Sequence, residues 1–260
     1  MAMSNLVLFE VKDRIGYITL NRPEKRNALS FEFVREIKSV FAAAEKDASC
    51  KVIVLRANGE AFCAGADLAY LQQLQTNSHE ENLADSNNLM ELFRMIYLFK
   101  KVVIAQINGP ALAGGCGLAT VCDFCFATAA STFGYTEVKI GFVPAIVMVF
   151  LIRKVGEKTA REILLSGNVF NALQAKNYQL INDVYEANEL ESKVDSFASA
   201  LVKTASAESL GMVKQMLARV QDLSLDEGLS YAAEMNAQAR KSTDCKKGIA
   251  AFLNKEKLSW

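Results

Sequence analysis

Between residues 15 and 57 the chain reads strand, helix, strand, and no other feature constrains its fold as much. Ile15, Tyr17 and Thr19 alternate with Gly16, Ile18 and Leu20, so neither side of that segment is plainly polar. This is the pattern of a strand covered on both faces. Ser30 is a good helix N-cap, and residues 31–47 carry apolar side chains at Phe33, Val34, Ile37, Phe41 and Ala44, one stripe of a helix. Val52–Ala57 is again a strand. Two strands joined through a helix run parallel, which predicts an α/β sheet.

The remaining chain extends the pattern. Residues 6–11 form a hairpin with Ile15–Leu20 around Lys12 to Arg14. Residues 58–67 are a glycine-punctuated loop. Residues 72–88 are the least apolar stretch and read as a mobile surface segment, a lid. A helix over 89–99, a strand over Val102–Ile107, a short helix opened by Gly114 and Gly115, and a strand over 123–127 follow. From Gly156 the pattern is helical apart from a short strand near 183–186. The last 60 residues carry three helical periods. This divides the chain into an α/β core over 1–198 and a helical portion over 199–260.

Composition removes several chemistries. The 29 basic and 29 acidic residues cancel, so no nucleic-acid footprint or polybasic membrane segment is expected. The longest apolar run, residues 142–152, is too short to span a bilayer as a helix. Glu10, Lys12, Asp13 and Arg14 interrupt any signal-peptide core, and a cytoplasmic protein is expected. His79 is the only histidine, so a histidine-rich metal site is excluded, and a triad would need His79 as its base. Neither a Walker A motif nor HExxH occurs. Cys122 and Cys125 form a single CxxC in an apolar segment, and all six cysteines read as free thiols with no metal site. Carboxylates and backbone amides are left to do any catalysis.

Three segments carry that chemistry. Phe62 to Leu68 (FCAGADL) is a turn of small residues that lets the backbone approach a ligand. Asn108 to Gly117 (NGPALAGGCG) opens a helix with glycines, leaving N–H groups and the positive end of the helix dipole facing outward. Phe133 to Glu137 (FGYTE), with Gly141 to Pro144, sets one acid in an apolar neighbourhood.

Together these segments resemble the enoyl-CoA hydratase/isomerase family, the crotonase superfamily. LNRPEKRNALS (20–30), AFCAGADL (61–68), INGPALAGGCGLATVCDF (107–124), FGYTEVKIGFVP (133–144) and GIAAFLNKEKLSW (248–260) fall in family order over nearly the whole chain. The resemblance implies an α/β crotonase spiral of repeated β-β-α units with a helical C-terminal trimerisation portion. It implies a homotrimer or a homohexamer built as a dimer of trimers. Its ligand is an acyl-CoA thioester, with coenzyme A part of the substrate and no separate cofactor. Carried over by position, the N–H groups of Ala66 and Gly114 hold the enolate oxygen and Glu137 moves protons. Lys25, Arg26 and Ala28, with Ala64, Asp67 and Leu68, lie along the coenzyme, the two cations on its phosphates. Tyr135 and Asp67 are further candidates to assist, with capping of the next helix the competing role for Asp67.

The chain departs from the two-glutamate hydratases of this family at Gly117, where they carry their first glutamate, and at Ala145-Ile146-Val147, where a glycine-rich run is usual. The segments around 114–144 look most like methylglutaconyl-CoA hydratase-like members of leucine breakdown, whose branched substrate carries its own carboxylate. Reversible hydration of a 2-enoyl-CoA is the leading expectation. A Δ3-Δ2-enoyl-CoA isomerase using one glutamate, and a non-catalytic CoA-ester-binding member, are the alternatives.

Overall fold

A computed structural model describes residues 6–260, the Leu68 side chain excepted. Strands β1 (Val7–Lys12) and β2 (Ile15–Leu20) pair antiparallel, with Val7 opposite Leu20. Their turn holds Asp13 and Arg14 at φ 50 and 66, the left-handed pair that a two-residue hairpin needs. Helix α1 (Phe31–Lys46) begins where the Ser30 side chain accepts the Phe33 N–H, and its five stripe residues are all buried. Strand β3 (Val52–Ala57) then lies parallel to β2.

Next come α2 (Leu68–Leu74), α3 (His79–Tyr97), β4 (Val102–Ile107), β5 (Ala111–Leu112), α4 (Gly114–Thr120), β6 (Phe124–Thr128) and β7 (Thr132–Gly134). A 3₁₀ turn, Glu137–Ile140, leads into α5 (Ala145–Ser166), β8 (Phe170–Asn171), α6 (Ala172–Asn177) and β9 (Asp183–Tyr185). Four helices close the chain: α7 (Leu190–Thr204), α8 (Ala207–Val220), α9 (Leu225–Lys241) and α10 (Thr243–Leu253). The main sheet has the order β1-β2-β3-β4-β6-β9, and β5-β7-β8 form a second, smaller sheet.

Burial on both faces of β2 to β4 has a direct cause. One face carries Ile18, Ile53, Leu55 and Val103 into a core with Phe33, Phe41 and Phe93 of α1 and α3. The opposite face carries Ile15, Val52, Val54 and Ile104 onto Leu190, Val194, Ala198 and Val202 of α7.

Lysines close the carboxyl ends of four helices, where the last carbonyls lack partners and the dipole is negative. Lys101 Nζ donates to the Ala44 and Asp47 carbonyls after α1, both at 2.6 Å. Lys154 Nζ donates to those of Thr120 (3.0 Å) and Cys122 (2.6 Å) after α4. Lys51 Nζ reaches Val202 (2.7 Å) and Ala205 at the end of α7. Lys214 Nζ reaches Ile96 (3.1 Å) at the end of α3, and pairs with Asp123 at 2.7 Å.

The polar stretch at 72–88 holds more regular structure than its composition predicts. Residues 79–88 are the first turns of α3, which starts ten residues before the helix read from the sequence. A capping box fixes that start, the Ser78 side chain accepting the Glu81 N–H and the Glu81 carboxylate accepting the Ser78 N–H. Asn88, polar but buried, donates to the Phe31 carbonyl at 3.2 Å, and the Tyr70 hydroxyl of α2 donates to Asp85. All of the apolar run at 142–152 but its first three residues lies in a helix, since α5 starts at Ala145, and that helix breaks its path at Gly156 (φ 77). Cys50, Cys63, Cys116, Cys122 and Cys125 are buried free thiols. Burial pushes the Cys122 thiol up to about 12, so the CxxC packs the core. Among the described residues no helix is long and apolar enough to cross a membrane.

Candidate active site

The turn at 63–67 is pinned on two sides. Cys63 donates its N–H to Pro110 (3.2 Å) and accepts from Leu112 (3.0 Å). Leu29 donates to Gly65 (2.6 Å) and accepts from Asp67 (3.0 Å), which makes a parallel bridge between Leu29 and Ala66. In such a bridge the bonds are made by residues 65 and 67, so the N–H of Ala66 itself faces the other way. It donates to no acceptor among the described residues. Gly65 sits at φ 92, and a Cβ there would lie 2.9 Å from Cβ of Ala113. Glycine is thus required twice over, by its φ and by the close approach that brings Ala66 beside residues 113–114.

Ala113 is bent into an unusual conformation, φ 48 and ψ −123. Its N–H donates to Gly134 (2.7 Å) and its carbonyl accepts from Gly117 (3.0 Å), and these bonds hold about 1–3 kcal/mol of backbone strain in place. The bend presents the N–H of Gly114, the first residue of α4, which has no acceptor within the helix and none elsewhere among the described residues. Helix α4 lies directly on the turn at 63, since a Cβ on Gly115 would come 2.1 Å from the Cys63 carbonyl oxygen. Two free N–H groups therefore flank one junction.

Glu137 opens the 3₁₀ turn after β7. Its Oε2 is buried and has no hydrogen-bond partner, a costly arrangement for a carboxylate. Burial raises its proton affinity above the ordinary carboxylate value, opposed only by its own backbone N–H. No charged side chain contributes to that shift. A half-buried acid with one buried, unpartnered oxygen and a proton affinity shifted towards neutrality suits proton transfer.

The other sequence candidates divide. Lys25 and Arg26 are exposed on the turn beside Ala64, whose N–H donates to the Arg26 carbonyl at 3.0 Å, and neither forms an ion pair among the described residues. Ala28 is buried under the same turn, its carbonyl accepting from Arg22 at 3.1 Å. Asp67 caps α2 by accepting the Ala69 N–H and pairs with Arg22 at 2.9 Å, so its carboxylate is engaged, with a lowered pKa. The Leu68 side chain lies outside the described residues. Tyr135 is fully buried and its hydroxyl bonds Thr120 at 2.6 Å, which makes it a core residue closed to ligand. Gly117 is not an opening: Val147 and Phe93 fill the space above it. Asn27, which the resemblance placed with its neighbours along the coenzyme, is instead fully buried at φ 53 and ties the turn by donating to the Asn58 and Ala61 carbonyls, each at 2.9 Å. Its tolerance for left-handed backbone was the available signal.

A family model described as Enoyl-CoA hydratase/isomerase matches residues 10–260. The chain belongs to this family. Within it, the chain is 39% identical over 244 residues to a Thermus thermophilus protein that carries an enoyl-CoA hydratase name, covering 94% of this chain and 96% of that one. It is 31% identical over 262 residues to the crotonyl-CoA hydratase of Syntrophomonas wolfei, covering 100% and 99%. The crystal structure of an enoyl-CoA hydratase from Shewanella pealeana superposes with a TM-score of 0.93 at 29% identity, covering 98% and 96%. The α/β crotonase fold that the sequence motifs implied is therefore the fold of this enoyl-CoA hydratase/isomerase family member.

Proposed function

We propose that the protein adds water reversibly across the Cα–Cβ double bond of a 2-enoyl-CoA thioester. Glu137 carries this reading, since its buried Oε2 has no partner, and the free N–H groups of Ala66 and Gly114 are the donors the thioester oxygen needs. The hydratase names of the relatives support it. The thioester oxygen accepts from the N–H groups of Ala66 and Gly114, which are fixed before the reaction and need no reorganisation. Ionised Glu137 takes a proton from water as the water oxygen bonds Cβ. The π electrons pass to the thioester as an enolate, and Glu137 returns the proton to Cα. Water is consumed whole, and one carboxylate serves as base and then acid. Lys25 and Arg26 meet the coenzyme phosphates.

The same observation favours a second reading. A lone, unpartnered carboxylate is sufficient to carry a proton between Cα and Cγ, the Δ3-Δ2 isomerase reaction. Product mass in ¹⁸O-labelled water separates the two. Incorporation into crotonyl-CoA product supports hydration. Conversion of 3-hexenoyl-CoA to its conjugated isomer, with no label in any product, overturns it in favour of isomerisation.

Exposed Phe252 (82%), Leu225 (78%), Ile140 (74%) and Leu165 (72%) support assembly into the trimer or hexamer that the family resemblance implies. The proposed compartment is the cytoplasm.

A further inference from the structure

Gly117 follows Gly114 by three residues, so both lie on one face of α4. A ligand oxygen on the Gly114 N–H would lie at the start of the helix, one turn from Gly117. Above Gly117 there is no empty space. A Cβ built there would come 2.5 Å from Cγ1 of Val147 and 2.9 Å from Cζ of Phe93. Val147 is 4% exposed, and Phe93 is fully buried, held edge-on by Phe150 at 6.3 Å. Both side chains of this wall are apolar and buried.

It also lacks a counter-charge. No cation contributes to the proton affinity of Glu137. Lys154 donates to carbonyls at the far end of α4, and Lys139 is exposed and donates to Asn168 at 3.2 Å. A carboxylate on the acyl chain would therefore face an apolar wall and the Glu137 carboxylate with no positive partner, which is unfavourable.

We propose that Val147, backed by Phe93, is the specificity-determining residue of this site and restricts it to short, uncharged hydrocarbon acyl chains. This rests on the hydratase reading and deepens it. The wall closes the space a second acid–base side chain would need, and it shortens the acyl pocket. It also argues against the carboxylate-bearing substrate that the resemblance to methylglutaconyl-CoA hydratases suggests.

The test compares the wild-type protein with Val147→Ala on crotonyl-CoA, 2-hexenoyl-CoA and 3-methylglutaconyl-CoA. For the wild type, kcat/KM on crotonyl-CoA is expected to exceed that on 3-methylglutaconyl-CoA by about 100-fold. Val147→Ala is expected to raise the hexenoyl-to-crotonyl ratio of kcat/KM by about 10-fold, without a gain on the carboxylate-bearing ester. Equal use of 3-methylglutaconyl-CoA by the wild type, or an unchanged chain-length ratio in the variant, overturns the proposal. Should the wild type hydrate none of the three, the hydratase reading falls, and calorimetric Kd values for the same esters decide the wall separately. A final pair checks the packing. Gly117→Ala should lower Tm by several degrees in the wild type and much less in Val147→Ala; equal losses overturn the steric claim.

Discussion

At the scale of single residues, the site keeps one expensive group. Burying the Glu137 carboxylate with Oε2 unpaired destabilises its ionised form, so the folded protein holds that proton more tightly than the unfolded chain does. The unfolded chain therefore binds fewer protons once pH rises past 4.5, and stability falls over that window up to the raised folded value. Glu137→Gln should accordingly raise Tm at pH 7, with the gain disappearing below pH 4.5 in thermal scans. The same substitution should lower kcat by about 10²–10⁴-fold in a hydration assay. Wild-type activity should fall as pH drops through the raised value, because the base must be ionised, and a flat acidic limb would contradict this. Glu137 was legible as one acid among apolar residues. What the sequence hides is whether a polar atom is already partnered. Tyr135 and Asp67 had suitable chemistry, but Thr120 and Arg22 already occupy them. Asn27 shows the reverse case, an ordinary loop residue whose importance comes wholly from the carbonyls around it.

At the scale of elements, β2, β3 and β4 were legible to the residue because two-sided burial leaves a continuous apolar run bounded by turn residues. Helix α1 was legible from its cap and stripe. The start of α3 was misread because polarity was taken for mobility. Its signal, Ser78 with Glu81 three residues on, was present in the sequence. Strand β8 has two residues, too few for any periodicity. The lysines at the helix ends had no local signature at all, since each partner lies far along the chain. Lys51 is 4% exposed and holds two carbonyls at the end of α7. Lys51→Met should cost about 2–3 kcal/mol in urea denaturation, as two carbonyls lose charged donors. A loss near zero would mean that water takes over the helix end.

At the scale of the whole molecule, local pattern announced a parallel sheet but not its strand order. The step from β4 to β6 past β5, and the small second sheet, were not read from the sequence; the family motifs implied only a spiral of repeated β-β-α units. The exposed apolar residues were equally unreadable, because a leucine on a covered helix face and one on an assembly face look alike in sequence. Light scattering of the purified protein is expected to give the mass of three or six chains, and a monomer at micromolar concentration would contradict it.

The lysine closures also set an order in time. A chain made from its amino end finishes α1 long before Lys101 arrives, 54–57 residues later. It finishes α3 before Lys214, which lies 118 residues beyond Ile96. The last turn of α3, closed by the Phe99 N–H on the Ile96 carbonyl, thus gains its charged donor only when α8 leaves the ribosome. A nascent chain stalled before residue 214 would hold every strand of the sheet and three of the four lysine closures, with only the end of α3 still lacking its lysine.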